Sequence, residues 1–203
     1  MPRVSREQMT VNRAAVVRAA AALLREHGPA GVTVDAVSAR AGLTHGGFYK
    51  QFASKEALLL EALQEAREQR QKVMRERADV PGGDSLAAFA DAYLSPKHRD
   101  NTADGCVAAA LLGTVAREPG GPLGDGYSSV LEDLVDAVAT RTPDAEPQLV
   151  LMDVALLIGA LQLARATAED PRSEDFLTAA REHFERRPTS NLDTDAPARN
   201  VRG

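Results

Sequence analysis

Residues 33–52 read Thr-Val-Asp-Ala-Val-Ser-Ala-Arg-Ala-Gly-Leu-Thr-His-Gly-Gly-Phe-Tyr-Lys-Gln-Phe, and this stretch decides the fold. Val34, Val37 and Ala41 stand at i, i+3 and i+7, one apolar stripe of a short helix. Gly42 supplies the left-handed residue that stops it, and Leu43 returns the chain to the core. Thr44 can cap a second helix through its hydroxyl oxygen, and Phe48 and Phe52, four apart, form that helix's inner face. Thr44, His45, Gly46, Tyr49 and Lys50 are left on the outer face. Two short helices joined by a tight turn make a helix-turn-helix, whose second helix is the natural candidate to enter a DNA major groove.

Upstream, residues from about 9 to 27 carry Ala15, Ala19, Ala22 and Leu23 at helical spacing. Thr10 or Asn12 can cap this helix, and His27-Gly28-Pro29 ends it. Downstream, Ser54 caps a long helix to about Ala78, with Leu59, Leu63, Ala66 and Val73 on one side. Its later part, residues 67–77, is almost wholly polar and suits a solvated or domain-bridging helix. Pro81-Gly82-Gly83-Asp84 is a turn, after which Leu86, Phe89, Ala90 and Tyr93 form the apolar face of a short helix that stops before Pro96. Residues 95–103 read as a polar loop. Thr102 or Asp104 then opens an apolar helix over 106–117, and Pro119-Gly120-Gly121-Pro122 breaks the chain again. Further helices are expected from Asp125 or Ser128 to Arg141, over the very apolar 148–167, and over 174–186 with Phe176, Leu177, Ala180 and Phe184 inward. The expectation is all-α, with about nine helices. A three-helix head spans 1–55, a larger helical body spans 56–187, and the polar 188–203 forms a disordered tail.

Composition agrees with close-packed helices. The apolar fraction is 44%, aromatics are 4% and Trp is absent. No run of about 18 apolar residues calls for a membrane span. The opening Met-Pro-Arg-Val-Ser-Arg-Glu lacks a signal peptide's apolar centre, and a single cysteine excludes an internal disulfide and suits a reducing cytoplasm. The net charge of −5 conceals a division along the chain. Residues 1–56 hold eight Lys or Arg against Glu7, Glu26, Asp35 and Glu56, a net +4, which leaves −9 for the remainder. A basic head on an acidic body is what is expected when only the head meets phosphate, and the body then helps to orient the approach.

The spacing of Thr33, Ala41, Gly42, Leu43, Thr44, Gly46, Phe48, Tyr49, Phe52, Lys55 and Glu56 closely resembles that of the TetR family of bacterial transcriptional regulators. The resemblance covers roughly the first 60 residues and is far more specific than a lone short motif. It implies that Tyr49 and Lys55 grip DNA phosphates, and Lys55 also begins a helix whose amides favour an anion. Thr33 is expected to reach phosphate through its hydroxyl or amide. Thr44 and His45 stand where base edges can be read, with Gly46 and Lys50 beside them. Arg40 can reach base or backbone. Gly47 departs from the family's usual Ser or Thr, so one side-chain contact common there is missing.

The resemblance implies a repressor that binds a palindromic operator as a homodimer and is released by a small apolar inducer. The larger apolar or polarizable residues of the body, Phe89, Tyr93, Cys106, Leu112, Leu134, Met152 and Leu156, are the candidates to line the inducer pocket between helices. The helices at 148–167 and 174–186 carry enough apolar surface to pair two subunits, with Leu157 and Phe184 as test positions. Cys106 allows a second reading, a redox- or electrophile-sensing repressor, because a thiol at a helix start favours the thiolate. Lys97, His98 and Arg99 can add positive potential, although a cysteine followed by Val-Ala-Ala-Ala-Leu-Leu also reads as core. The four histidines form no metal constellation, and no cofactor is called for. A Cys106–His98–Asp104 triad can be drawn, but no nucleophile turn supports an enzyme. A helical enzyme or carrier with an accessory DNA-binding head is the remote alternative.

Overall fold

The computed structural model describes residues 6–43, 52–79 and 84–187, and every regular element among them is helical. Helix α1 (Arg6–Gly31) starts earlier than the cap at Thr10 or Asn12 predicts, because Arg-Glu-Gln-Met are good helix formers that extend it backwards. Its regular part stops at Gly28 (φ 67°, ψ −171°), backbone that only glycine adopts readily. Pro29 follows, as the His-Gly-Pro sequence indicates. Helix α2 (Val34–Ala41) is capped by Thr33, whose Oγ1 accepts from the Ala36 N–H at 3.2 Å. Gly42 ends α2 in the left-handed region, donating to Ala39 C=O while the Leu43 N–H reaches Ser38 C=O. That pair of bonds is a Schellman stop. Helix α3 (Lys55–Ala78) opens at Ser54, whose Oγ accepts from the Ala57 N–H. Val16, Ala20 and Leu24 of α1, Val37 of α2, Phe52, and Leu58 and Ala62 of α3 are buried in one continuous core. The second helix of the expected motif falls within 44–51, outside the described residues.

The body begins with α4 (Leu86–Tyr93), capped by Ser85 and burying Leu86, Phe89, Ala90 and Tyr93, the face its spacing predicts. Residues 95–103 are not simply a loop. Ser95 caps a short helix α5 (Pro96–Asp100) with proline at its first position, where the missing N–H costs nothing. Helix α6 (Val107–Arg117) has Cys106 itself as N-cap, with no side-chain cap bond. Thr102 and Asp104 therefore do not open it, and Asp104 accepts from Asn101 Nδ2 instead. Helices α7 (Gly124–Ala139), α8 (Pro147–Ala166) and α9 (Arg172–Arg186) complete the described chain.

Helix α8 is the axis of the body, packing on α4, α5, α6, α7 and α9. Among the described residues it alone is long and apolar enough to cross a membrane. It is instead a core helix, burying Val150, Val154, Leu157, Leu161 and Ala164. Asp153 on its buried face pairs with Arg187 just beyond α9. Head and body meet where α3 continues past the head to pack on α6 and α7, and where α1 packs on α6.

Candidate DNA-binding head and effector site

The described parts of the head position three of the predicted DNA contacts. Thr33 is exposed at the start of α2, but its hydroxyl oxygen is already accepting from its own helix. Lys55 is exposed at the first residue of α3. Arg40, near the end of α2, forks onto Glu26 of α1 with both terminal nitrogens, so contact with DNA requires this exposed pair to part. Thr44, His45, Gly46, Tyr49 and Lys50 lie outside the described residues, as do Gly47 and Phe48. Phe52 returns to the core under the Arg13 guanidinium, 4.8 Å from its ring centroid, and Arg13 also pairs with Glu61 of α3.

The link from α3 to the body is ionic. Arg67 donates to both oxygens of Asp133 on α7, at 2.5 and 2.8 Å, and Gln71 adds a third bond at 2.8 Å. The Arg67 guanidinium holds the Asp133 carboxyl below its ordinary pKa. The polar run 67–77 is thus a bridge to α7 as well as a solvated surface.

Four of the seven residues predicted to line an inducer pocket are buried in the body core: Phe89, Tyr93, Cys106 and Leu134. Leu156 is half-buried. Leu112 (40% exposed) and Met152 (66% exposed) leave the set, because both stand on the outward faces of α6 and α8. The Phe89 and Tyr93 rings are 5.9 Å apart on α4, and His98 meets Tyr93 edge-on at 4.8 Å. The Cys106 N–H donates to His98 Nε2 at 3.0 Å, while His98 Nδ1 lies 2.5 Å from the Tyr93 carbonyl oxygen. One ring nitrogen accepts and the other must donate, so this geometry takes the neutral imidazole.

Two sequence expectations change in consequence. His98 adds no positive charge beside Cys106, and both its nitrogens serve backbone groups, so a Cys106–His98–Asp104 relay is not assembled. The cations closest in effect are Arg25 and Arg165, which come from α1 and α8. Arg25 donates to Ala103 C=O and Gln69, and Arg165 to the carbonyls of His98 and Arg99. Burial lowers the pKa of both. The Tyr93 hydroxyl is buried beside the Cys106 thiol, and burial first, then the charge of and hydrogen bond to Cys106, pushes its pKa well up. The Tyr127 hydroxyl donates to Ala108 C=O and is pushed up to about 12 by burial. No group of three potential metal ligands occurs among the described residues. Sequence reasoning overlooked Arg25, Arg70, Arg141 and Arg165, since an arginine in a polar run carries no local sign that tertiary packing will cover it.

Among the described residues the arrangement is all-helical, with a two-helix head, α1 and α2, joined by the long helix α3 to a helical body. Residues 16–62 match the model of the family described as bacterial regulatory proteins, tetR family. A TetR transcriptional regulator from Chloroflexus aurantiacus has a similar structure, at TM-score 0.72 and 23% identity, over 89% of this chain and 98% of that one. The reduced form of NemR from E. coli follows at TM-score 0.68 and 19% identity, covering 86% and 95%. The multidrug binding protein EbrR, complexed with malachite green, matches at TM-score 0.59 and 23% identity, covering 86% and 96%. No curated protein matches the chain. The TetR-family resemblance is therefore shown, in the head by sequence and over most of the chain by fold.

Proposed function

We propose that this chain is a ligand-responsive, TetR-type transcriptional repressor that acts in the cytoplasm as a homodimer on a palindromic operator. The observation that carries the reading is the family match over residues 16–62, which ends inside the helix that also binds the body. Residues 1–55 read DNA and 56–187 sense the effector and dimerise. Phosphate contacts come from Thr33, Tyr49 and Lys55, base contacts from Thr44 and His45, and Arg40 reaches base or backbone. In one state the two heads are spaced for half-sites one helical turn or a multiple apart. A small, largely apolar inducer selects a body conformation that spoils this spacing, working through α3 and through the contact of α6 with α1. A β-carbon added at Gly28 would stand 3.7 Å from Thr114 Oγ1, so that contact is close. The coupling is limited by how differently the inducer binds the two states.

Dimerisation is assigned to the outward stripe of α8, where Leu149, Met152 and Leu163 are exposed. Leu157 and Phe184, the expected test positions, are buried in their own subunit's core, which favours the exposed stripe as the interface. The rival reading, redox sensing at Cys106, has a thiol beside a buried tyrosine hydroxyl in its favour, but only 3% of Cys106 is exposed, as in a packing residue.

The test is gel retardation on the DNA beside the protein's own gene. Lys55→Ala should weaken binding to all sequences alike and lower the salt slope by about 0.9 for one lost phosphate. Retardation no stronger than on random DNA would overturn the repressor reading. Release by peroxide in the wild type but not in Cys106→Ser would favour the rival.

A further inference from the structure

We propose that the effector is a small organic anion with an apolar body, held between α3 and α7 with its charge on Arg70 and Arg141. This rests on the effector-responsive reading above and specifies its ligand class. The two arginines stand over neighbouring rings of α4. The Arg70 guanidinium carbon is 5.4 Å from the Tyr93 ring centroid, and that of Arg141 is 4.7 Å from Phe89. The Nε atoms of both are buried with no protein acceptor. Other body arginines are engaged: Arg67 by Asp133, Arg99 by Asp100, and Arg181 by Glu174. Arg141 keeps one bond, to Ala137 C=O, and the Asp84 carboxylate acts on it from beyond salt-bridge distance, while no salt bridge forms at Arg70 among the described residues. A guanidinium over an aromatic face with a free N–H edge is suited to a carboxylate, which accepts from that edge in its plane.

The space for the apolar body lies in two parts. A groove of about 340 Å³ runs between α3 and α7, with Met74, Arg75, Asp136 and Arg141 in its walls. Beside it is a cavity of about 20 Å³ lined by Arg70, Cys106, Val130 and Leu134. That is the space of about one water molecule. Met74 and Asp133 line both, so the two spaces adjoin there. A methionine has three rotatable bonds and repacks readily, and turning it aside joins the two spaces into one of ligand size. The combined walls carry Arg67, Arg70, Arg75 and Arg141 against Asp133 and Asp136. Asp133 is already occupied by Arg67 and Gln71, so it does not neutralise Arg70. An anion is attracted into this space and a cation is repelled.

The experiment uses one apolar body with three charges: 4-phenylbutyrate, 4-phenylbutanamide and 4-phenylbutylamine. Binding to the full chain is measured by calorimetry, and release of operator DNA by retardation, for wild type, Arg70→Met, Arg70→Lys and Arg141→Met, each checked for a cooperative melt. The expected result is that the carboxylate binds the wild type at least about tenfold more tightly than the amide. The amine should not compete, Arg70→Met should bring the carboxylate down to the amide's affinity, and Arg70→Lys should retain part of the preference. Equal binding of amide and carboxylate, or tightest binding and operator release by the amine, would overturn the anion proposal and leave the effector reading standing. Failure of all three probes to bind would also overturn it. If a wider panel of neutral and cationic amphiphiles then left the operator bound, the effector reading would fall as well.

Discussion

Replacing Asp133 by Asn tests whether the head-to-body helix is fastened to α7 by charge. The wild-type carboxylate accepts two bonds from Arg67 and one from Gln71, and the two charged side chains are 29% and 17% exposed. A bond to a charged group is worth about 1.5–3 kcal/mol net, and breaking a fully buried pair costs about 3–5 kcal/mol. This site is partly solvated and Asn keeps one acceptor, so the expected loss is about 2 kcal/mol at neutral pH. For a chain of this size that lowers Tm by about 4–8 °C. The assay is calorimetry and urea denaturation at one fixed protein concentration, because subunit association makes Tm concentration-dependent. The pH dependence has a definite sign. The folded-state pKa of Asp133 is depressed below its ordinary 3.8 by Arg67. The stabilisation is therefore complete above 3.8 and is lost as pH falls through the lower folded value. The gap between wild type and Asp133→Asn should be constant from pH 7 to about 5 and narrow below about 4. A variant within about 0.5 kcal/mol of wild type at pH 7, the range of ordinary surface substitutions, would refute the fastening. A gap unchanged at acid pH would show that its origin is not the carboxylate charge.

Gly42→Ala should cost about 1–2 kcal/mol, since its φ of 67° is unfavourable for any residue with a β-carbon, while the added carbon itself would meet nothing within 4 Å. Urea denaturation showing no loss would mean that the turn relaxes freely. On α8, Met152→Glu and Leu163→Glu should give folded monomers by sedimentation with unchanged helix content. Leu157→Glu should fail to fold, because it buries an unpaired charge. Dimers persisting in both outward variants would remove α8 from the interface.

The sequence by itself determined the elements whose signals are local. Gly42 and Ser54 stop and cap helices through bonds spanning a few residues, so spacing alone reveals them. The apolar face of α4 was equally legible, since one stripe against a core needs only the helical period. Helix α5 was missed because its five residues carry no apolar stripe, and only the Ser-Pro start hinted at it. The sidedness of α8 was illegible for the opposite reason. A helix apolar on nearly every face shows no period, so only its packing on five neighbours decides that Leu157 points in and Met152 points out. Charge was the least legible property. Nothing in the local sequence separates Arg70, left without a carboxylate beside Tyr93, from Arg67, three residues earlier and paired with Asp133. Their difference arises when α3 is laid against α4 and α7. Partners more than 20 residues away set the electrostatic energy of each guanidinium, and the tertiary structure alone decides which partner is present.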